Sequence, residues 1–141
     1  MSFEEEFKKL VDEKGEEGVK EILDGIEKLY GYKPLVTRVL AENKLSFLTS
    51  VLKNRALLHP EDGVLNDETI ELITISAATV LRCDYCLEHH IQRAFKLGVS
   101  NEAVFQTIML ASSMAESASW STGFRKYRQM SAKFYGKEEK E

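Results

Sequence analysis

Proline occurs only twice in this 141-residue chain, at Pro34 and Pro60, and apolar residues recur at helical rather than alternating spacing along nearly its whole length. Proline inside a helix removes a hydrogen bond and clashes with the preceding turn, so its scarcity leaves long stretches free to run as helix. The stripe Phe3, Phe7, Leu10 and Val11 predicts a first helix with Gly15 as its stop. Val19, Ile22, Leu23, Ile26, Leu29 and Tyr30 predict a second, closed by Gly31. Pro34 suits the first turn of a third, carried by Leu35, Val36, Val39 and Leu40, because the donor it lacks is not needed there. Leu45, Leu48, Val51 and Leu52 continue after a break at Asn43, and the segment runs out at the loop "HPEDG".

Asn66 then reads as a helix cap, with Asp67 and Glu68 complementing the dipole and Ile70, Ile73, Ala77 and Leu81 as the buried stripe of a helix over 67–81. The next helix runs from "CDYC" to Lys96, with Ile91, Ala94, Phe95 and Leu97 apolar and Gly98 as its stop. Ser100 caps a last helical stretch over 101–135, in which Gly123 marks a break, and "GKEEKE" is a solvated tail. No strand alternation of length, internal repeat or low-complexity linker is present. The fold class is therefore all-α, a bundle of about six to eight helices, and 141 residues fit a single domain, 1–141, able to bury a core without staples.

Composition narrows the function classes. The chain is 43% hydrophobic and 30% charged, with a formal charge of −4 and its basic residues scattered, which argues against nucleic acid as a partner. No apolar run approaches the roughly 18 residues of a spanning helix, so no membrane is expected either. The start "MSFEEEFKKL" lacks the basic, apolar and small-residue parts of a secretory signal, and a cytoplasmic protein is expected. In that reducing compartment, two thiols at close spacing read as metal-binding or catalytic rather than as a permanent disulfide.

Those thiols are the only two cysteines of the chain, in "CDYCLEHH". Cys83 and Cys86 are three apart and His90 is four beyond Cys86, so one helix places all three on one face, while His89 lies about 100° round and points elsewhere. His90 is then in reach of Cys86, and the imidazole, the helix N-terminus and Arg82 all favour the thiolate, the reactive form of cysteine. The pair is also close enough to form a small disulfide ring. On one continuous helix Glu71 and His90 would stand on the order of 28 Å apart. An antiparallel hairpin turning near Arg82 brings Glu71 within reach of His90 instead, lining up carboxylate, imidazole and thiol as orienter, base and nucleophile. Two other uses remain open at this point: an inert, buried thiol pair, and zinc held by Cys83, Cys86 and His90 with Glu71 or water as the fourth ligand.

The pattern of Glu71, eleven residues, Cys83, two residues, Cys86, three residues and His90 resembles the signature of the alkylhydroperoxidase AhpD-like proteins of the carboxymuconolactone decarboxylase family. "LNDETIELITISAATVLRCDYCLEHHIQRAFKLGVS" looks like that family's core pair of helices, with the motif itself in 66–98. The resemblance implies a helical bundle whose antiparallel hairpin carries a dithiol peroxidase site without a cofactor or a metal. Carried over residue by residue, Cys86 attacks the hydroperoxide, Cys83 resolves the sulfenic acid as a disulfide, and Glu71 and His90 relay the proton. A helix dipole alone would favour Cys83; a base at i+4 outweighs a dipole that fades within a turn, which favours Cys86. The resemblance further implies an external dithiol reductant of lipoyl or thioredoxin type and a homo-oligomer, trimer or hexamer. One departure stands out: the best studied members carry a second histidine just before the second cysteine, where this chain has Tyr85. A disulfide reductase or redox relay is the neighbouring reading, and a carboxymuconolactone-type decarboxylase, which has no use for two thiols, the more distant one.

Outside the motif the residues read as structural. His59 belongs to a polar loop, Trp120, Phe124 and Tyr127 to a packing face of the core or a subunit contact, and "RKYRQMSAK" to a charged helix face. Ser112, Ser113, Ser117, Ser119 and Ser121 suggest close helix contacts.

Overall fold

The computed structural model describes residues 1–61 and 63–136, and among them every regular element is an α-helix. The helices are α1 (Phe3–Tyr30), α2 (Leu35–Leu40), α3 (Lys44–Leu58), α4 (Asp67–Leu81), α5 (Asp84–Lys96) and α6 (Asn101–Tyr135). They form two compact units, one spanning Met1–Gly63 and a second beginning at Val64. Asp62 of the "HPEDG" loop, residues 137–141 of the "GKEEKE" tail, and the side chains of Leu29 and Tyr30 lie outside the described residues.

In the first unit α1 packs on α3, and α2 leans on α3. Ser2 starts α1 with a reciprocal capping box, its side chain accepting from the Glu5 N–H while the Glu5 carboxylate accepts from the Ser2 N–H. The expected stop at Gly15 does not occur: α1 runs on for 28 residues to the left-handed Gly31. Gly15 instead lies buried where a Cβ would meet Lys44 and Val11 carbons at 3.4 Å and a Leu48 methyl at 3.6 Å. A glycine inside a helix is a modest cost that a close helix contact can select. Pro34 sits immediately before α2 rather than in its first turn, and Asn43 caps α3 by accepting from the Ser46 N–H at 3.0 Å. The buried side chains here are Val11, Val19 and Phe47, the last only 1% exposed.

In the second unit α4 packs against both α5 and α6 around Ile75, Ala94 and Val104. Asn66 and Ser100 cap α4 and α6 as their side chains suggest, accepting from the N–H groups of Thr69 and Ala103. Gly98 adopts φ +89° after α5. The buried stripe of α4 differs from the expected one: Ile70 is buried, but Ile73 and Leu81 are 53% and 77% exposed and Ala77 is exposed, whereas Glu71, Ile75 and Ala78 are buried. Apolar residues surround α4 on more than one side, so period alone could not choose the face. Gly123 does not interrupt α6, which runs unbroken for 35 residues. Only Val104 and Ala111 of α6 are buried, and Trp120, Phe124 and Tyr127 are exposed rather than part of the core. No described helix is long and apolar enough to cross a membrane.

Candidate functional site

The hairpin of α4 and α5 turns at Arg82, the one described non-glycine residue with positive φ (55°). Two backbone bonds fix the turn: the Arg82 N–H donates to the Thr79 carbonyl at 3.2 Å and the Cys83 N–H to the Ala78 carbonyl at 3.1 Å. That is the Schellman arrangement, in which a left-handed residue lets the chain satisfy the last carbonyls of one helix while leaving it. Cys83 then serves at once as the cap of α5, its Sγ accepting from the Cys86 N–H at 3.3 Å. Cys83 and Cys86 are joined by a disulfide with their Cα atoms 5.2 Å apart. Both are half-buried, with Tyr85 between them 41% exposed.

The turn folds α5 back along α4, and residues 19 apart in sequence meet. His90 Nδ1 lies 2.7 Å from Glu71 Oε2. Glu71 is 1% exposed and His90 9%, so this pair is buried under the hairpin. Arg93, one turn beyond His90, places Nε 2.8 Å from the other Glu71 oxygen, Oε1, and Nη2 3.6 Å from Asp67 Oδ2. A buried carboxylate needs partners that offset the water it has lost, and α5 supplies the His90 imidazole at hydrogen-bond distance from one oxygen and the Arg93 guanidinium as an ion-pair partner to the other. Glu71, which could have been a dipole partner on a first turn, is thus an interior group.

Sequence reasoning missed two members of this cluster. The signal for Arg93 is its i+3 spacing from His90, which puts it on the same face. His89 does not point elsewhere: its ring stands edge-on to that of His90 with centroids 4.6 Å apart, and burial, followed by the neighbouring His90, pushes its imidazole below the ordinary range. The 100° step between adjacent residues separates their Cβ directions, but two rings of this size still touch. Arg82 is exposed and acts through its backbone. His59 ends α3 and is exposed. Among the described residues no group of three or more His, Cys, Asp or Glu side chains is placed to hold a metal ion.

A helical hairpin presenting a Cys-x-x-Cys pair at the start of one helix, backed by a buried carboxylate and imidazole, defines a thiol site built into an all-α fold. The chain belongs to the carboxymuconolactone decarboxylase family, whose model matches residues 48–127, in accord with its AhpD-like motif. That family includes peroxidases and decarboxylases. The chain is also similar to "Uncharacterized protein 4 in cox locus" of Paracoccus denitrificans, at 34% identity over 59 residues, covering 42% of this chain and 53% of that protein. It thus spans about half the length of the curated relative it matches. No solved structure matches it.

Proposed function

We propose that the protein is a dithiol oxidoreductase that reduces hydroperoxides through Cys83 and Cys86. The observation that carries this reading is the buried 2.7 Å contact between His90 Nδ1 and Glu71 Oε2, on the same helix face as the cysteine pair. A structural disulfide or an inert thiol pair has no need of a buried imidazole oriented by a carboxylate, whereas a thiol that must become a thiolate does. With Nδ1 committed to Glu71, Nε2 is left as the nitrogen that takes the thiol proton.

The Cys86 thiolate attacks the distal oxygen of ROOH, the O–O bond breaks, and the alkoxide leaves as ROH with the proton held by His90. The sulfenic acid so formed on Cys86 is attacked by Cys83, which releases water and forms the disulfide. An external dithiol, of lipoyl or thioredoxin type, then takes the disulfide's place in oxidised form and returns both thiols. Assembly as a homotrimer or hexamer belongs to the same reading; the exposed apolar side chains of α6, among them Phe105, Met109, Met114 and Trp120, support it, because such faces mark contacts between proteins. A cytoplasmic setting, which keeps the pair reducible, fits as well.

The test is peroxide consumption by the reduced protein with excess dithiol. Cys86→Ser should abolish it, and Cys83→Ser, reduced and then freed of dithiol before peroxide is added, should complete one turnover and stall at a sulfenic acid on Cys86, located by mass spectrometry. Undiminished consumption by Cys86→Ser sinks the mechanism. Tyr85 supports a second reading, a disulfide relay for a partner protein with slow peroxide turnover, because a half-exposed phenol stands where the best studied relatives have a second imidazole. Trapping a mixed disulfide between the Cys83→Ser or Cys86→Ser protein and a protein partner, with slow peroxide consumption by the parent, would favour it.

A further inference from the structure

We propose that Arg93 is a positioning residue of this site: by clamping the Glu71 carboxylate it fixes the tautomer of His90, and so decides whether the imidazole can act as a base. The inference rests on the Glu71–His90–thiol relay proposed above. Neutral imidazole is ambiguous, since either nitrogen can carry the proton, and the partner of one nitrogen sets the role of the other. Guanidinium is not ambiguous. It only donates, and it stays charged at any pH the fold survives.

With Arg93 Nε 2.8 Å from Oε1, Glu71 has a permanent positive partner, and Oε2 is left as an acceptor facing Nδ1 at 2.7 Å. Nδ1 must then carry the proton and Nε2 the lone pair. Remove Arg93, and a carboxylate that is 1% exposed loses the cation that offsets its desolvation and holds Oε1 in place. Oε2 is then no longer fixed as the acceptor facing Nδ1, the preference for a hydrogen on Nδ1 is lost, and the nitrogen that should accept from the thiol is free to be a donor instead.

Asp67 is part of the same device. It lies one turn before Glu71 on α4, with its oxygen 3.6 Å from Arg93 Nη2, so the guanidinium bridges two carboxylates on α4 and cannot swing from the inner one without leaving the outer. Asp67 is about half exposed, which makes it the weaker anchor.

The experiment is the rate at which iodoacetamide alkylates Cys86 in the fully reduced, full-length protein, located by mass spectrometry, with folding checked by circular dichroism. Arg93→Gln should slow alkylation by about tenfold or more, the scale expected when a group that orients a reactive partner is lost; Arg93→Lys, which restores the charge, should recover most of it. In a Glu71→Gln background Arg93→Gln should add nothing, since the two act through one path. A rate within about twofold of the parent in folded Arg93→Gln overturns the proposal, and so does a further large drop in the Glu71→Gln background, which would mean that the cation acts on the thiol directly. If Arg93→Gln does not fold, Asp67→Asn decides: about two- to threefold slowing is expected, and an unchanged rate overturns the idea. Alkylation needs no peroxide, so a parent that fails to consume peroxide refutes the peroxidase reading alone, while a peroxide-consuming parent with unaffected variants refutes only the role of Arg93.

Discussion

The α1–α3 unit and the α4–α5 hairpin use charge in opposite ways. In the first, ionic contacts lie at the surface: Lys44 reaches Glu16 at 3.6 Å, and Lys33 reaches both Asp24 and Glu27 at 3.1 Å. The interior there is carried by Val11, Val19 and Phe47. In the hairpin the ionic contact is itself interior, with Glu71 among the most buried side chains of the described residues. Exposed pairs contribute little because water screens them, while a buried carboxylate is costly to bring in and costlier to strand. A fold that needed only stability could hold an apolar side chain at 71 at lower cost; the buried polar cluster accords with the chemistry proposed for this site.

The largest effect expected is therefore on the hairpin. Glu71→Ala should destabilise it by about 3–5 kcal/mol, because Arg93 and His90 lose their partner inside the protein, and this is read as lost amide protection in α4 and α5. Replacing the whole cluster at once, with Glu71→Leu, His90→Leu and Arg93→Met, should return stability to within about 2 kcal/mol of the parent while leaving Cys86 slow to react. Phe47→Ala is the counterpart in the other unit, costing about 3–5 kcal/mol through a cavity with no polar component. If the triple variant is as unstable as Glu71→Ala, the contrast between the two units is wrong.

Acid should sharpen the same contrast. His89 titrates below its ordinary 6.5 in the fold because burial disfavours its charged form. As pH falls through that value the unfolded chain binds a proton that the folded one refuses, so stability declines from about pH 6.5 downward until His89 protonates in place. The denaturation midpoint of the parent should fall over that window, and His89→Gln should flatten the fall.

Two backbone substitutions give the smallest expected changes. Arg82→Gly removes a side chain from a left-handed position and should stabilise the hairpin by up to about 1 kcal/mol, less the entropy glycine adds to the unfolded chain. Gly25→Ala, in a helix interior where an added Cβ meets nothing within 4 Å, should stabilise α1 by about 0.5–1 kcal/mol. Both are read from thermal melting.

What could be read from the sequence alone follows from where the information is local. Caps at Asn66 and Ser100, the break at Asn43, stops at Gly31 and Gly98, and the turn at Arg82 are decided within a few residues, and those ends appear where expected. Gly15 and Gly123 went the other way because a lone glycine inside a strong helical pattern is tolerated, and at Gly15 the reason lies with a neighbour, α3, some thirty residues on. The face of α4 was misjudged because Ile73, Val80 and Leu81 are as apolar as the side chains that are buried. At the site, Glu71 and His90 could be paired from spacing and a single turn. Arg93 and His89 could not be weighted without knowing that Glu71 is enclosed and has a second oxygen to satisfy.

The turn at Arg82 also makes the interval between Glu71 and Cys83 a ruler. One residue inserted there would rotate α5 by about 100° and advance it by about 1.5 Å, carrying His90 off the carboxylate while leaving every residue of the motif in the chain. The hairpin thus measures length as strictly as it selects side chains, and a variant with all its functional groups but one extra link would be a complete set of parts held out of phase.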